Sequence, residues 1–141
     1  DRFIKIINPS RIFLGEKDFQ QLMIIKEFIH TNKIKTKIVM CPTIREKNGI
    51  ACSSRNHLLS HKQKMTASIV YKFVVNNKQD LIKKKINLNK FKQSLKLIGI
   101  SKLDYLKIFD IGKLLNKKNI KKKSKIFIAY YLGNVRLIDN F

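Results

Sequence analysis

The sequence has few cysteines, few acidic residues and no tryptophan. Its 141 residues include two cysteines, Cys41 and Cys52, which are too far apart for a CxxC pair and too few for a disulfide framework. We therefore expect a reduced, cytoplasmic setting. No apolar run approaches the roughly 20 residues of a membrane-spanning helix, so we expect no membrane partner.

The scarcity of acidic residues leaves a large excess of positive charge. The chain carries 31 Lys and Arg against 9 Asp and Glu, a formal net charge of +22. Such a charge attracts nucleic acid without sequence specificity. The cations are scattered as lysines among Ile and Asn, and arginine, the preferred reader of base edges, is scarce. We therefore expect no specific nucleic-acid partner, and a basic nucleic-acid-binding module is kept as the alternative.

The first part of the chain predicts a strand, a helix and a second strand. The hydrophobic content of 44% is enough for one ordinary core or two small ones. Residues 1–8 look like the end of a helix, and the apolar run Arg11–Leu14 is typical of a buried parallel strand. Leu22, Ile25 and Ile29 keep one face of the next helix apolar, and Ile38–Met40 is the second strand. This order predicts one βαβ unit at the edge of a parallel sheet.

Two helices are predicted after a polar loop or hinge at Thr43–Asn56. Ser60 is placed to cap the first of them, with Gln63 at the spacing of a capping box. Its buried face is expected to contain three apolar side chains, namely Met65, Ile69 and Phe73. The second helix, over Leu88–Ile98, ends at Gly99 in the usual C-terminal glycine position.

The last part of the chain predicts a small antiparallel sheet. The expected strands are Tyr105–Asp110, Lys125–Leu132 and Val135–Asp139. Gly133-Asn134 is a two-residue connection of the kind found in tight hairpins, and the lysine-rich stretch Asn116–Lys125 is expected to be a solvated loop. The predicted fold is therefore α/β, with a βαβ unit followed by a small α+β domain of two helices and a three-stranded antiparallel sheet.

Two short polar clusters, Gly15–Gln21 and Cys52–Asn56, lie where a strand or loop opens a helix. Anionic phosphates are commonly held at such places. The Lys17 ammonium can reach a phosphate, and Gly15 lets a ligand approach the backbone closely. Asp18 can accept hydrogen bonds from ribose hydroxyls, or it can be a plain N-cap.

Gln21 lies one helical turn beyond Lys17, so both side chains are expected on the same side. Its carboxamide offers a donor and an acceptor to a substrate with hydroxyl and carboxylate groups. The alternative is a structural role as the third-position glutamine of a capping box with Asp18.

The second cluster supplies two hydroxyls and a guanidinium from Ser53, Ser54 and Arg55. This combination suits the terminal phosphates of a nucleotide or a leaving pyrophosphate. The alternative is a polar loop with an exposed arginine. We expect two other candidates to be unimportant for catalysis: the histidines at 57 and 61 lack a third metal ligand, and the aspartates at 80, 104, 110 and 139 show no pairing pattern.

Several further segments, in a fixed order along the chain, accompany the two clusters. They are Asn8-Pro9, Phe13–Leu22, Pro42–Glu46, Asn48–Asn56, Leu59-Ser60, Tyr105-Leu106, Phe109-Asp110, Ala129, Leu132-Gly133 and Arg136–Asn140. Together these residues closely resemble the pantothenate synthetase (pantoate–beta-alanine ligase) family over nearly the whole chain.

The resemblance implies a two-step, ATP-dependent ligation. The carboxylate of pantoate attacks the α-phosphate of ATP, which gives pantoyl adenylate and pyrophosphate. The amine of β-alanine then attacks the acyl group and releases pantothenate and AMP. The resemblance also implies Mg²⁺ bound with the ATP and a homodimer in the full-length enzyme.

The resemblance assigns roles to ten residues. Gly15, Glu16, Lys17 and Asp18 would line the ATP site, with Lys17 on the β- and γ-phosphates and Asp18 on the ribose. Gln21 would bind pantoate, and Ile44 would contact adenine. Cys52, Ser53, Ser54 and Arg55 would close over the phosphates from the smaller domain. Lys17, Ser53, Ser54 and Arg55 are the residues expected to take part in catalysis, which proceeds by positioning and charge stabilisation.

The implied domains are residues 1–43, the end of a Rossmann-like ATP- and pantoate-binding domain, and residues 44–141, a complete lid domain. Because the chain starts at Asp1 within a helical pattern, we expect the family's N-terminal part, with its HxGH motif, to be missing and the fragment alone to be inactive. Cys52 departs from the larger Met or Leu that the family usually has there. A decayed, non-catalytic remnant is a further alternative.

Overall fold

The structure, a computed structural model, describes residues 2–114 and 124–141, with the backbone alone at residues 113 and 114. The chain folds into two compact units, Asp1–Ile44 and Arg45–Phe141. Residues 115–123, which include residues 116–123 of the predicted lysine-rich loop, lie outside the described residues. None of the helices in the described ranges is long and apolar enough to cross a membrane.

The first unit is a βαβ arrangement, as predicted. Helix α1 (Arg2–Ile7) precedes strand β1 (Arg11–Gly15), helix α2 (Phe19–Thr31) and strand β2 (Lys37–Cys41). The two strands pair in parallel, with Arg11 opposite Lys37 and Gly15 opposite Cys41. The crossover helix buries Leu22 and Ile29 of the predicted apolar face, whereas Ile25 is half-buried.

Strand β1 is parallel but is not buried, so this part of the prediction is wrong. Phe13 is 65% exposed, and Ile12 and Leu14 are only half-buried. Parallel strands are usually buried because helices cover both faces of the sheet. The pairing of two strands with one crossover helix supplies too little apolar surface for that.

The second unit places two long helices beside a three-stranded sheet. A 3₁₀ helix at Ser54–Leu58 leads into α3 (His61–Ile82) and α4 (Leu88–Ile98). The remaining elements in chain order are β3 (Lys102–Asp110), a short α5 (Ile111–Leu114), β4 (Ser124–Leu132) and β5 (Val135–Asn140). The strand order is β3-β4-β5, and both pairs are antiparallel. The predicted fold class is therefore confirmed.

Local signals set the ends of these elements as the sequence predicts. The Ser60 side chain accepts a hydrogen bond from the Gln63 backbone, and the Gln63 side chain accepts one from the Ser60 backbone, which completes the capping box of α3. Gly99 adopts a left-handed conformation, with φ of 108°, at the end of α4. Gly133 and Asn134 form the turn between β4 and β5, and the residues on either side of the turn, Leu132 and Val135, pair with each other.

The predicted buried face of α3 is largely wrong. Met65 and Ile69 are exposed, whereas Phe73 is half-buried and stacks on Phe91 with ring centroids 4.6 Å apart. The residues that α3 buries are Ala67, Val70, Val74 and Leu81. Apolar residues occupy two neighbouring stripes of this helix, and periodicity alone does not choose between them. Ala67, Val70 and Val74 have small or β-branched side chains, which let α3 pack closely against α4 and β4 in the core.

Candidate functional site

The ten predicted site residues are divided between the two compact units. Gly15–Asp18, Gln21 and Ile44 belong to the first unit, and Cys52–Arg55 belongs to the second.

The first group lies at the carboxyl end of β1. The strand ends at Gly15, a 3₁₀ turn follows at Glu16–Asp18, and α2 begins at Phe19. Gly15 has an ordinary extended backbone, with φ of −68°, and a methyl group added there would meet no atom within 4 Å. The backbone conformation therefore does not require glycine, and the open space beside Gly15 leaves room for a ligand.

The predicted capping box at the start of α2 is wrong. Asp18 occupies the N-cap position, but its side chain makes no capping hydrogen bond. The reason is local: the 3₁₀ turn enters the helix directly, and Asp18 has ψ of 53° instead of the extended backbone of an N-cap. Asp18 and Gln21 are both exposed. The structural alternative for these two residues thus loses its main support, and their carboxylate and carboxamide face solvent.

Lys17 and Ile44 differ in their surroundings. Lys17 lies in the 3₁₀ turn and is half-buried. Ile44 ends the first unit and is 74% exposed. An exposed aliphatic side chain of this kind can contact the flat face of an apolar ring, which is the role that the resemblance gives it.

The second group forms the entry to the 3₁₀ helix Ser54–Leu58. Ser53 is extended, and its Oγ accepts a hydrogen bond from the backbone N–H of Arg55 at 3.3 Å. Cys52, Ser54 and Arg55 are exposed. The Ser53 hydroxyl keeps its own proton for donation, so the loop presents two hydroxyl donors and a guanidinium within three consecutive residues. This arrangement suits an anion with several oxygens.

Sequence reasoning placed Asn56 in the second polar cluster but did not predict that it is buried. Asn56 is only 4% exposed, and its Nδ2 donates to Glu46 Oε1 at 2.6 Å and to the Ala51 carbonyl at 3.1 Å. Both Glu46 and Asn56 are among the quoted resemblance residues, but no role was assigned to either. The only sequence signal was the density of polar residues between 45 and 56.

Sequence reasoning also missed the anchoring of Arg45. Its Nη1 and Nη2 donate to the two carboxylate oxygens of Asp139 at 2.7 and 3.0 Å, and to the carbonyls of Gly49 at 3.0 Å and Asn140 at 3.3 Å. Burial lowers the pKa of Arg45, but the hydrogen bonds and charge of Asp139 outweigh this effect and leave its pKa above the usual value. The guanidinium is therefore a permanent cation that ties the start of the second unit to β5.

The aspartates show no pairing pattern with one another, but two of them bind arginines that lie far along the chain. Asp139 binds Arg45, and Asp104 Oδ2 accepts from Arg136 Nε at 3.0 Å and Nη2 at 2.7 Å. The partners lie far apart in sequence, so spacing could not reveal them.

Comparison with known proteins identifies the family. The pantoate-beta-alanine ligase family matches residues 1–141. The chain belongs to the pantoate-beta-alanine ligase family. The pantothenate synthetase of Ruminiclostridium cellulolyticum is 38% identical over 146 residues, which cover 100% of this chain and 52% of the relative. That of Clostridioides difficile is 37% identical over 144 residues, with 99% and 51% covered. The chain thus spans about half the length of the curated relatives it matches.

Solved structures agree with this family and fold. A pantoate-beta-alanine ligase from Francisella tularensis, complexed with beta-gamma ATP and beta-alanine, is 34% identical and superposes with a TM-score of 0.76, covering 99% of this chain and 46% of that one. The pantothenate synthetase of Thermus thermophilus is 27% identical and has a TM-score of 0.82, covering 99% and 52%.

The two histidines considered as metal ligands, His57 and His61, lie on different elements. His57 belongs to the 3₁₀ helix and His61 begins α3, and Ser60 caps α3 between them. Both are exposed. Within residues 2–114 and 124–141, no three His, Cys, Asp or Glu side chains cluster as metal ligands.

Proposed function

We propose that this chain is the C-terminal half of an ATP-dependent enzyme that condenses pantoate with β-alanine to form pantothenate. The observation that carries the proposal is the family match over residues 1–141. It is supported by the Francisella tularensis relative, whose structure contains beta-gamma ATP and beta-alanine. The half-length coverage of the relatives supports the further proposal that this chain alone is inactive.

In the proposed reaction, the pantoate carboxylate attacks the α-phosphate of ATP and pyrophosphate leaves. The β-alanine amine then attacks the acyl carbon of pantoyl adenylate, and AMP leaves. The described residues of the site supply two cations, two hydroxyls, two carboxylates and an amide. They fit catalysis by orientation and by neutralisation of charge on the leaving group.

We assign the residue roles in the same way. Residues 1–43 are the proposed remnant of a Rossmann-like domain, and residues 44–141 are the proposed lid domain. Gly15–Asp18 bind ATP, with Lys17 on the β- and γ-phosphates and Asp18 on the ribose. The other proposed contacts are Gln21 to pantoate, Ile44 to adenine, and Cys52, Ser53, Ser54 and Arg55 to the phosphates. The exposure of Asp18, Gln21 and Arg55 supports these assignments.

We propose that ATP enters as its magnesium complex. Mg²⁺ binds carboxylate and phosphate oxygens and keeps several waters. Within residues 2–114 and 124–141 no three His, Cys, Asp or Glu side chains cluster as metal ligands, so the described residues offer no protein cage for the ion. The ion is therefore treated as part of the substrate. The full-length enzyme is proposed to be a cytoplasmic homodimer.

The test is pantoate-dependent exchange between ATP and pyrophosphate, measured on the full-length polypeptide that we propose contains this chain. Lys17→Ala and Arg55→Ala should each lower kcat/KM for ATP by about 100-fold, because each removes a cation from the phosphates. Lys26→Ala is the matched control, since it removes an exposed cation from α2 in the first unit. It should stay within about twofold of the wild type.

Two results would overturn the proposal. Equal effects of all three substitutions would show that the phosphates respond to the overall positive charge and not to Lys17 and Arg55 in particular. Steeply salt-dependent nucleic-acid binding would then support the basic binding module. A well-folded full-length protein without exchange activity would support a decayed enzyme.

A further inference from the structure

We propose that Asn56 and Glu46 are positioning residues that hold the Ser53–Arg55 segment in its phosphate-binding conformation. The inference rests on the proposed function for its consequence in catalysis. Its structural part, that these two side chains order the loop, stands on the contacts alone.

Asn56 ties the loop together at both ends. Its Nδ2 donates to the Ala51 carbonyl at 3.1 Å, just before the loop, and its backbone N–H donates to the Ser53 carbonyl at 3.0 Å. Because Asn56 is covalently next to Arg55 and buried, these bonds fix the backbone from which the Arg55 side chain extends. The exposed Arg55 side chain therefore extends from a backbone segment that the buried Asn56 holds in place.

The Glu46 carboxylate holds the Asn56 side chain in position. Its carboxylate accepts the shortest contact of the group, 2.6 Å from Asn56 Nδ2, and bonds to a charged acceptor are stronger than neutral ones. The Glu46 backbone is itself held in a turn: its N–H donates to the Ile50 carbonyl and its carbonyl accepts from Gly49, both at 2.8 Å.

The remaining polar atom of Asn56 carries a cost in stability. Its Oδ1 is buried and has no hydrogen-bond partner in the described part of the chain. A buried acceptor without a partner costs stability. The two hydrogen bonds of its Nδ2 group offset this cost and set the geometry of the loop.

A segment ordered before the ligand arrives loses less conformational freedom on binding. Loss of the Asn56 amide should therefore weaken ATP use through Arg55 and not through the fold as a whole. In the full-length polypeptide, Asn56→Ala should raise KM for ATP in pantoate-dependent exchange by about tenfold. Glu46→Gln keeps an acceptor for Asn56 and should stay within about threefold, whereas Glu46→Ala should resemble Asn56→Ala.

A double substitution separates positioning from general destabilisation. If Asn56 acts through Arg55, then Asn56→Ala should change KM for ATP by less than about twofold once Arg55→Ala is present. Its effect on thermal stability should be the same in both backgrounds. Asn77→Ala is the matched control, because it also removes a half-buried amide that donates to a backbone carbonyl, that of Phe73 at 2.8 Å.

Amide hydrogen exchange of the peptide covering residues 52–58 keeps the test independent of catalysis. We expect Asn56→Ala and Glu46→Ala to speed exchange there at least about tenfold while the peptides of α4 are unchanged. Unchanged exchange in the loop, or an equal KM effect with and without Arg55, would overturn the inference. Absence of activity in the wild type would refute the proposed function, and the exchange measurement would still decide whether the pair orders the loop.

Discussion

The Arg45–Asp139 pair should be a major source of stability in the second unit. Arg45 retains 22% of its side-chain exposure and Asp139 retains 11%, and they meet at 2.7 Å. The guanidinium also lies over two aromatic rings, 4.7 Å from the centroid of Tyr71 and 5.3 Å from that of Phe141. Substitution by alanine would leave a mostly buried carboxylate without its cation.

The magnitude follows from burial. Removal of one partner from a fully buried pair costs about 3–5 kcal/mol, whereas an exposed pair is worth about 0.2–1 kcal/mol. Arg45 and Asp139 are mostly but not completely buried, so we expect Arg45→Ala to lower the free energy of unfolding by about 2–4 kcal/mol. Arg45→Lys keeps the charge but loses the two-pronged contact, and it should fall between alanine and the wild type.

Urea denaturation followed by tyrosine fluorescence is the appropriate assay. The chain has four tyrosines and no tryptophan, and all four tyrosines lie in the second unit, at positions 71, 105, 130 and 131. Arg136→Ala is a matched control, since Arg136 and Asp104 also meet at 2.7 Å but are 39% and 37% exposed. We expect it to cost less than about 1 kcal/mol. Equal losses from the two substitutions would refute the argument that burial decides the effect.

Gly49→Ala and Tyr130→Phe test the second unit, and Gly15→Ala in the first unit is a comparison for the first of them. Gly49→Ala should destabilise it by about 2–4 kcal/mol, because φ is +90° and the new methyl group would overlap the Tyr71 ring; Gly15→Ala, with open space around it, should change the free energy of unfolding by less than about 0.5 kcal/mol. Burial and the charge of Asp139 raise the pKa of Tyr130, so its hydroxyl stays protonated in the folded state after it ionises in the unfolded chain. Stability should therefore fall as pH rises above the ordinary tyrosine value of about 10. Tyr130→Phe should match the wild type near pH 7 and exceed it by about 1 kcal/mol near pH 11; equal pH profiles would contradict this.

The elements that sequence reasoning predicted correctly depend on local signals. The capping box at Ser60, the glycine at the end of α4 and the tight turn at Gly133-Asn134 each involve residues within a few positions of one another. Their backbone preferences act before any tertiary contact forms, so they can be recognised one segment at a time.

The features that were missed or predicted wrongly depend on tertiary contacts or on the preceding turn. Arg45 and Asp139 are 94 positions apart, and no local pattern links them. The buried stripe of α3 is decided by the sheet that it meets. Asp18 makes no capping hydrogen bond because a 3₁₀ turn leads directly into α2. Sequence reasoning expected the strand to pass straight into the helix and did not predict this turn. The roles of the site residues rest on the family resemblance and stay predictions.

The use of arginine in the second unit supports the role proposed for Arg55. Lysine supplies most of the positive charge, and this unit contains three arginines, at positions 45, 55 and 136. Arg45 and Arg136 each direct two N–H groups at a carboxylate, a contact that the compact lysine ammonium cannot reproduce. Arg55 is exposed, and a planar fork there matches the oxygens of a phosphate in the same way. Arg55→Lys in the full-length polypeptide should therefore keep the charge yet lower kcat/KM for ATP by about tenfold. Full activity of the lysine variant would show that this position contributes charge alone.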